Sequence, residues 1–363
     1  MARILWLSHR APTHLYAGGA ERTIRQLTHG LALNGNTVVL VTVSRTATLQ
    51  RFNLGPVMCV ELPSQLHAHL FPILGSVTMR FDFVVDDLAH LVPWATPLVS
   101  DVAGVAYFRH LHARTLSGQV SPPLRQILKR VEALYPILYK RWQLVTESQQ
   151  SVADLHELGF PVERVVRIPP GVDCDLFHPT DQSTSPQLIY FSGLRSYKRP
   201  TDAILALHLV RESGIPATLV VMGEGPETKR CREVVSSLGL TSAVRFLGRV
   251  GDQELASHVG QSWVHLHCSR AEGWGQSVME AAACGIPTAA YSVPGVAETV
   301  LDGETGYLAV DGSLHGLAEA TIRAIQNRRT LSSGCRRWAL SHSWSATVSR
   351  WNDLVESTIA TQG

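Results

Sequence analysis

Lysine is scarce in this chain: Lys129, Lys140, Lys198 and Lys229 are the four in 363 residues, and arginine supplies the rest of the positive charge. The net charge is only +2, which argues against a nucleic-acid binder relying on a broad basic face. The six cysteines Cys59, Cys174, Cys231, Cys268, Cys284 and Cys335 form no C-x-x-C pair and have no partner histidine at zinc-finger spacing. They are expected to be small buried hydrophobes in a reducing cytoplasm. No apolar run reaches membrane-spanning length, and the start "MARILWLSHRAP" is too short in apolar residues for a signal peptide, so a cytoplasmic protein is expected. No internal repeat and no low-complexity tract is visible. What is present is 45% hydrophobic and 17% charged residues, enough for two packed domains, each with its own core.

Short β-rich runs alternate with longer segments of helical period, the pattern of βα units and parallel sheets. "RILWL" (3 to 7), "NTVVLVTV" (36 to 43), "FDFVVDD" (81 to 87), "VAGVAYF" (102 to 108), "QLVT" (143 to 146) and "RVVRIPP" (164 to 170) read as strands of a first domain. The segment joining the first two puts Ile24, Leu27 and Leu31 on one helix face, with Gly35 suited to the C-terminal cap. "HPTDQSTSPQ" (178 to 187) breaks the series as a linker does. "QLIYFSG" (187 to 193), "PATLVVMGEG" (216 to 225), "AVRFLG" (243 to 248), "SWVHLHC" (262 to 268) and "IPTAAYS" (286 to 292) then read as strands of a second domain. Open parallel sheets place ligands beyond the carboxyl ends of their strands, so two such domains would line a cleft.

"SRAEGWGQSVMEAAACGIP" (269 to 287) follows one of these strands and enters a helix from about Gln276 to Cys284. The backbone N–H groups of Gly275, Gln276 and Ser277 would lie at the positive end of the helix dipole, where a phosphate is favoured. Gly273 and Gly275 would let a ligand approach that backbone. Glu272 would lie in the turn on the cleft side, and Glu280 on the first turns could accept hydrogen bonds from a vicinal diol such as a ribose. A lone glutamate at 280 would read as part of a solvated helix face; the glycines before it change that reading.

The string "EGWGQSVMEAAACGIP" resembles the E-x7-E signature of retaining glycosyltransferases with the GT-B fold, in particular glycosyltransferase family 4. "GGAER" (18 to 22), "PPGVDCDLFHP" (169 to 179), "GLRSYKRP" (193 to 200), "VMGEGPE" (221 to 227) and "VPGVAETVLDGETGYL" (293 to 308) are similar to that family's glycine loop, interdomain stretch, phosphate loop and further motifs, in order. The resemblance implies an α/β protein of two Rossmann-like domains with parallel sheets facing an interdomain cleft. Its acceptor-side domain would be 1–180 and its nucleotide-sugar domain 181–342, with a C-terminal helix at about 343–360 packing Trp344 and Trp351 back on the first domain.

The same resemblance implies roles. Glu280 would bind the ribose hydroxyls, Glu272 the transferred sugar, and Gly275 to Ser277 the distal phosphate. Trp274, Gly223, Arg249 and Val250 would complete the donor site. Lys198 and Arg195 would supply cations to the diphosphate, although the family pattern has arginine directly after the glycine, where this chain has Leu194; Arg199 is the alternative. Gly18 and Gly19 would allow close approach from the first domain, and His110, with His112 as the alternative, would lie near the transferred sugar. The expected activity is retaining transfer from a UDP-, GDP- or ADP-type nucleotide sugar to an acceptor that the sequence does not identify. No cofactor and no metal is expected: "DCD" (173 to 175) matches a metal-binding D-x-D string, but Asp173 is expected to fix a turn. The alternatives are an epimerase or hydrolase on the same fold, or a non-catalytic nucleotide-sugar module. "GGAER" is not G-x-G-x-x-G, which weakens a dehydrogenase reading. Arg125, Lys129, Arg130, Lys140 and Arg141 interleave with apolar residues over 122 to 142. An ordinary packed helix with a solvated basic face is expected there, and peripheral contact with anionic lipid is the alternative.

Overall fold

The computed structural model describes residues 1–13, 19–44, 46–71, 80–89, 92–109, 111 and 121–362. The chain divides into two units, Met1–Gly171 with Trp344–Gly363, and Val172–Ser343.

In the first unit the strands are β1 (Arg3–Leu7), β2 (Thr37–Val43), β3 (Gln50–Leu54), β4 (Val57–Leu62), β5 (Phe83–Asp87), β6 (Gly104–Phe108), β7 (Gln143–Thr146) and β8 (Val165–Arg167). Among the described residues they form one sheet in the order β3-β4-β2-β1-β5-β6-β7-β8. Every pairing is parallel except the β3–β4 hairpin. The central strands are buried on both faces, which is why they read as continuous apolar runs. One face packs on the helix Gly19–Leu33, through Ile24, Leu27 and Leu31, and on the helix Trp344–Gln362. There Trp351 lies 5.2 Å from Trp6 and 5.1 Å from Tyr107, centroid to centroid. The β3–β4 hairpin has no counterpart in the sequence expectation. Its first strand, "QRFNL", is half polar and mostly exposed, so neither a continuous apolar run nor a clean alternation marks it.

In the second unit β9 (Gln187–Phe191), β10 (Thr218–Met222), β11 (Val244–Gly248), β12 (Val264–His267), β13 (Thr288–Tyr291) and β14 (Gly306–Ala309) form a wholly parallel sheet in the order β11-β10-β9-β12-β13-β14. The chain builds outward from β9 to β11, then returns to place β12 against the other side of β9. The loops leaving β9 and β12 therefore diverge at the topological switch point, where parallel α/β sheets open a crevice. Residues 172–186 pack with this unit rather than bridging freely from position 178. Val172 bridges Ser343, and the Arg336 guanidinium donates to the carbonyls of Cys174, Phe177 and Ala283. Asp173 accepts from the N–H groups of Asp175 and Leu176 at 3.1 and 2.9 Å, closing a turn.

Candidate functional site

Both loops at the switch point carry a charge of opposite sign. The loop after β9 passes through Gly193 and Arg195 into a short 3-10 turn, Ser196–Lys198, and the loop after β12 runs from Cys268 to Gly275. Arg270 N donates to Tyr197 O at 2.9 Å, which ties the loops together. The ammonium of Lys198 then bonds Glu272 Oε1. That same oxygen accepts from Ser269 Oγ at 2.7 Å and faces His267 Nε2 at 3.2 Å. Three donors thus converge on one carboxylate oxygen, and among the described residues Oε2 has no such clamp.

The side chains of Lys198 and Glu272 keep 16% and 15% of their exposure, so the pair is mostly desolvated but reachable. Burial alone would raise the Glu272 pKa; Lys198 and His267 outweigh it and hold the carboxyl well below the usual carboxylate range. Burial likewise pushes Lys198 down, and the Glu272 carboxylate more than reverses this, leaving the ammonium above its ordinary value. Arg195 is exposed beside this pair, and its charge acts on Lys198. Arg199 is differently placed: it pairs with Asp311 at 2.5 Å and lies over the Tyr291 ring.

Beyond Glu272 the chain turns through Gly275, at φ +76°, into the helix Gln276–Ala283. A left-handed residue at the helix entrance suits glycine, because a Cβ would be strained there. Val278 is the first residue whose N–H returns to the Gly275 carbonyl, at 2.9 Å. Gln276 and Ser277 precede it in the first turn, where helix N–H groups lack intrahelical partners. Glu280 is 5% exposed, not on a solvated face. Trp274 is also buried, its ring 5.5 Å from that of His342, and it packs in the core of the unit. Gly273 lies in the turn between Glu272 and Trp274.

Gly223, at φ +121°, follows β10; an added Cβ would lie 2.0 Å from the Ser192 carbonyl oxygen, so glycine lets the loops after β9 and β10 touch. Arg249 and Val250 follow β11, the edge strand, and the sheet sets β10 and β9 between them and β12. In the first unit Gly19 opens the helix Gly19–Leu33. Gly18, His110 and His112 lie outside the described residues.

Two residues of the cluster, His267 and Ser269, have no place in the sequence expectation. The signal for them is local: "VHLHCS" puts His265 and His267 into a strand buried throughout, where a polar side chain needs a partner. His265 finds Thr288 Oγ1 at 3.1 Å and His267 finds Glu272.

Two family models match the chain: "Glycosyl transferases group 1" over residues 176–339 and "Glycosyltransferase Family 4" over residues 17–176. The D-inositol 3-phosphate glycosyltransferase of Geodermatophilus obscurus is 28% identical, over 91% of this chain and 80% of that protein. Among solved structures, the sucrose-phosphate synthase of Thermosynechococcus elongatus superposes with a TM-score of 0.82 at 20% identity, covering 99% of this chain and 100% of the other. Anabaena HepE in complex with UDP-glucose superposes at 0.73 with 18% identity, covering 99% and 100%. These neighbours have the GT-B fold, which the two parallel-sheet units share.

Proposed function

We propose that this chain, which belongs to the glycosyltransferases of group 1 and family 4, transfers a sugar from a nucleoside diphosphate sugar to an acceptor hydroxyl with retention, and without a divalent metal. The observation that carries this reading is the Lys198–Glu272 pair at the switch point, next to the entrance of the helix Gln276–Ala283. A diphosphate is met there by the Lys198 ammonium, by Arg195 and by the dipole at the helix N-terminus. Glu272, clamped through Oε1, offers Oε2 to hydroxyls of the transferred sugar. Glu280, on the buried face of the same helix, takes the ribose hydroxyls. As the bond between the anomeric carbon and the diphosphate oxygen breaks, negative charge grows where Lys198 and the helix already point. The acceptor oxygen bonds the anomeric carbon on the face the diphosphate leaves, and the acceptor proton passes to the departing phosphate oxygen. No protein base is needed for that step.

Peripheral contact with an anionic membrane belongs to the same reading. The helix Pro122–Glu132 leaves Leu124 and Ile127 at 38% and 55% exposure beside Arg125, Lys129 and Arg130, and the following turn leaves Ile137 at 62%. Apolar side chains within a basic face are the composition that binds anionic lipid. Among the described residues no helix is long and apolar enough to cross a membrane.

Thermal-shift measurements with UDP, GDP, ADP and their sugars identify the donor, because a ligand of the folded state raises apparent stability. Proton NMR of the first-formed product then reads the anomer. Retention is the expected result; inversion, or donor consumption with no transfer, overturns the proposal. Flotation with phosphatidylglycerol vesicles is expected to carry the protein, and flotation with phosphatidylcholine alone is not.

A further inference from the structure

The carboxyl edge of the first unit's sheet contains a cavity of ≈ 590 Å³. Residues that reach it come from three places. Thr13 follows β1, Ser44 and Thr46 follow β2, and Gln50, Phe52 and Glu61 come from the β3–β4 hairpin. The antiparallel register sets Gln50 opposite Glu61 and Phe52 opposite Cys59, so these three side chains line one face of the hairpin. Ser44 Oγ lies 3.0 Å from Thr46 Oγ1, which accepts from Gln50 Nε2 at 2.9 Å. Neutral hydrogen-bonding groups therefore ring a single carboxylate.

Among the described residues that carboxylate has no counter-ion. Burial raises the Glu61 pKa, and only a hydrogen bond from the Ser44 hydroxyl opposes it. None of the described lining residues is cationic. A half-buried acceptor without a positive partner selects a ligand that brings hydrogen-bond donors and no negative charge. Hydroxyl and amide groups that both donate and accept fit a ring of neighbouring hydroxyls better than an ammonium, which only donates. Phe52 adds an apolar wall for the C–H face of such a ring.

The geometry points to this cavity as a binding site for an uncharged polyhydroxylated ring, a sugar or cyclitol, gripped by Glu61 and discriminating against phosphorylated forms. On the glycosyltransferase reading, on which this inference rests for its role, that ligand is the acceptor. The relative named for inositol 3-phosphate would then differ from this chain at this point.

Saturation-transfer NMR on the full chain tests it, with methyl α-glucopyranoside, methyl α-mannopyranoside and myo-inositol as probes, each beside its monophosphate, and with glucosamine. At least one neutral probe is expected to saturate, its monophosphate to bind at least about tenfold more weakly, and Glu61→Gln to weaken the neutral probe by about tenfold. Gln50→Ala, on the exposed part of the hairpin, is the second variant and is expected to weaken it severalfold. No Glu61-dependent saturation, equal or tighter binding of a monophosphate, or saturation by glucosamine alone would overturn the proposal. Nucleotide thermal shifts on the same samples report the second unit separately. Unchanged shifts in Glu61→Gln show that the variant is folded, and a wild type without any nucleotide shift would undo the transferase reading while leaving the sugar-binding result to stand on its own.

Discussion

Each of the two units holds charges at the carboxyl edge of a parallel sheet, and the two arrangements are closed to different degrees. In the first, Arg109 lies just after β6 and bonds Asp87 at 3.4 Å and Glu147 at 2.5 Å, with side-chain exposures of 5%, 0% and 9%. The Tyr107 hydroxyl adds a 2.7 Å bond to Glu147, and its ring lies under the guanidinium. In the second, Lys198 and Glu272 hold each other with room at the surface and one carboxylate oxygen outside the clamp. A charge group whose partners are all internal fixes the fold around it. One that is mostly desolvated yet reachable is poised for a ligand. The difference predicts that the first cluster governs stability and the second governs turnover.

The largest effect is expected from Arg109→Ala, which leaves Asp87 buried without its cation. Loss of one partner from a buried ion pair destabilises by about 3 to 5 kcal/mol, read from the denaturant midpoint at constant slope. A loss under about 1 kcal/mol would remove the contrast between the units. Next comes Glu280→Gln, in which an amide with one acceptor replaces a carboxylate. Donor affinity is expected to fall by about tenfold or more in calorimetric titration, and unchanged affinity would contradict the ribose role. Ser269→Ala removes one of the three donors to Glu272 Oε1. A hydrogen bond to a charged group contributes about 1.5 to 3 kcal/mol, so kcat should drop about tenfold with donor affinity and melting temperature nearly constant, and Ser269→Thr should restore it. The smallest change is expected from excess EDTA: on the proposed reading Lys198, Arg195 and the helix N-terminus neutralise the diphosphate without a metal, and the rate should stay as it was.

How much of this was legible in the residues follows the same contrast. The second unit's strands are short and parallel, and each falls within the run that the pattern marks: β9, β10, β12 and β13 are almost wholly buried and read as mostly apolar runs, while the edge strand β11 is only partly buried. Only β14, four residues inside "DGETGYLAV", lacks a run long enough to stand out. Glu272, Lys198 and Glu280 stand out because glycines punctuate their loops. Their convergence does not: Lys198 and Glu272 are 74 positions apart, and only the order β9-β12 makes their loops neighbours. In the first unit the hairpin β3–β4 and the Arg109 cluster escape a reading by period, since one is polar at an edge and the other draws Asp87, Arg109 and Glu147 from three separate strand ends.

The measurement that bears most directly on the central claim is kcat of Lys198→Ala at saturating donor, set beside its melting temperature and donor affinity. A cation aimed at the departing diphosphate acts mainly in the transition state, so kcat is expected to fall by about 100-fold or more while donor affinity falls far less and the melting temperature holds. Turnover close to that of the wild type, or a loss that only tracks unfolding, would contradict the assignment of the Lys198–Glu272 pair as the catalytic centre.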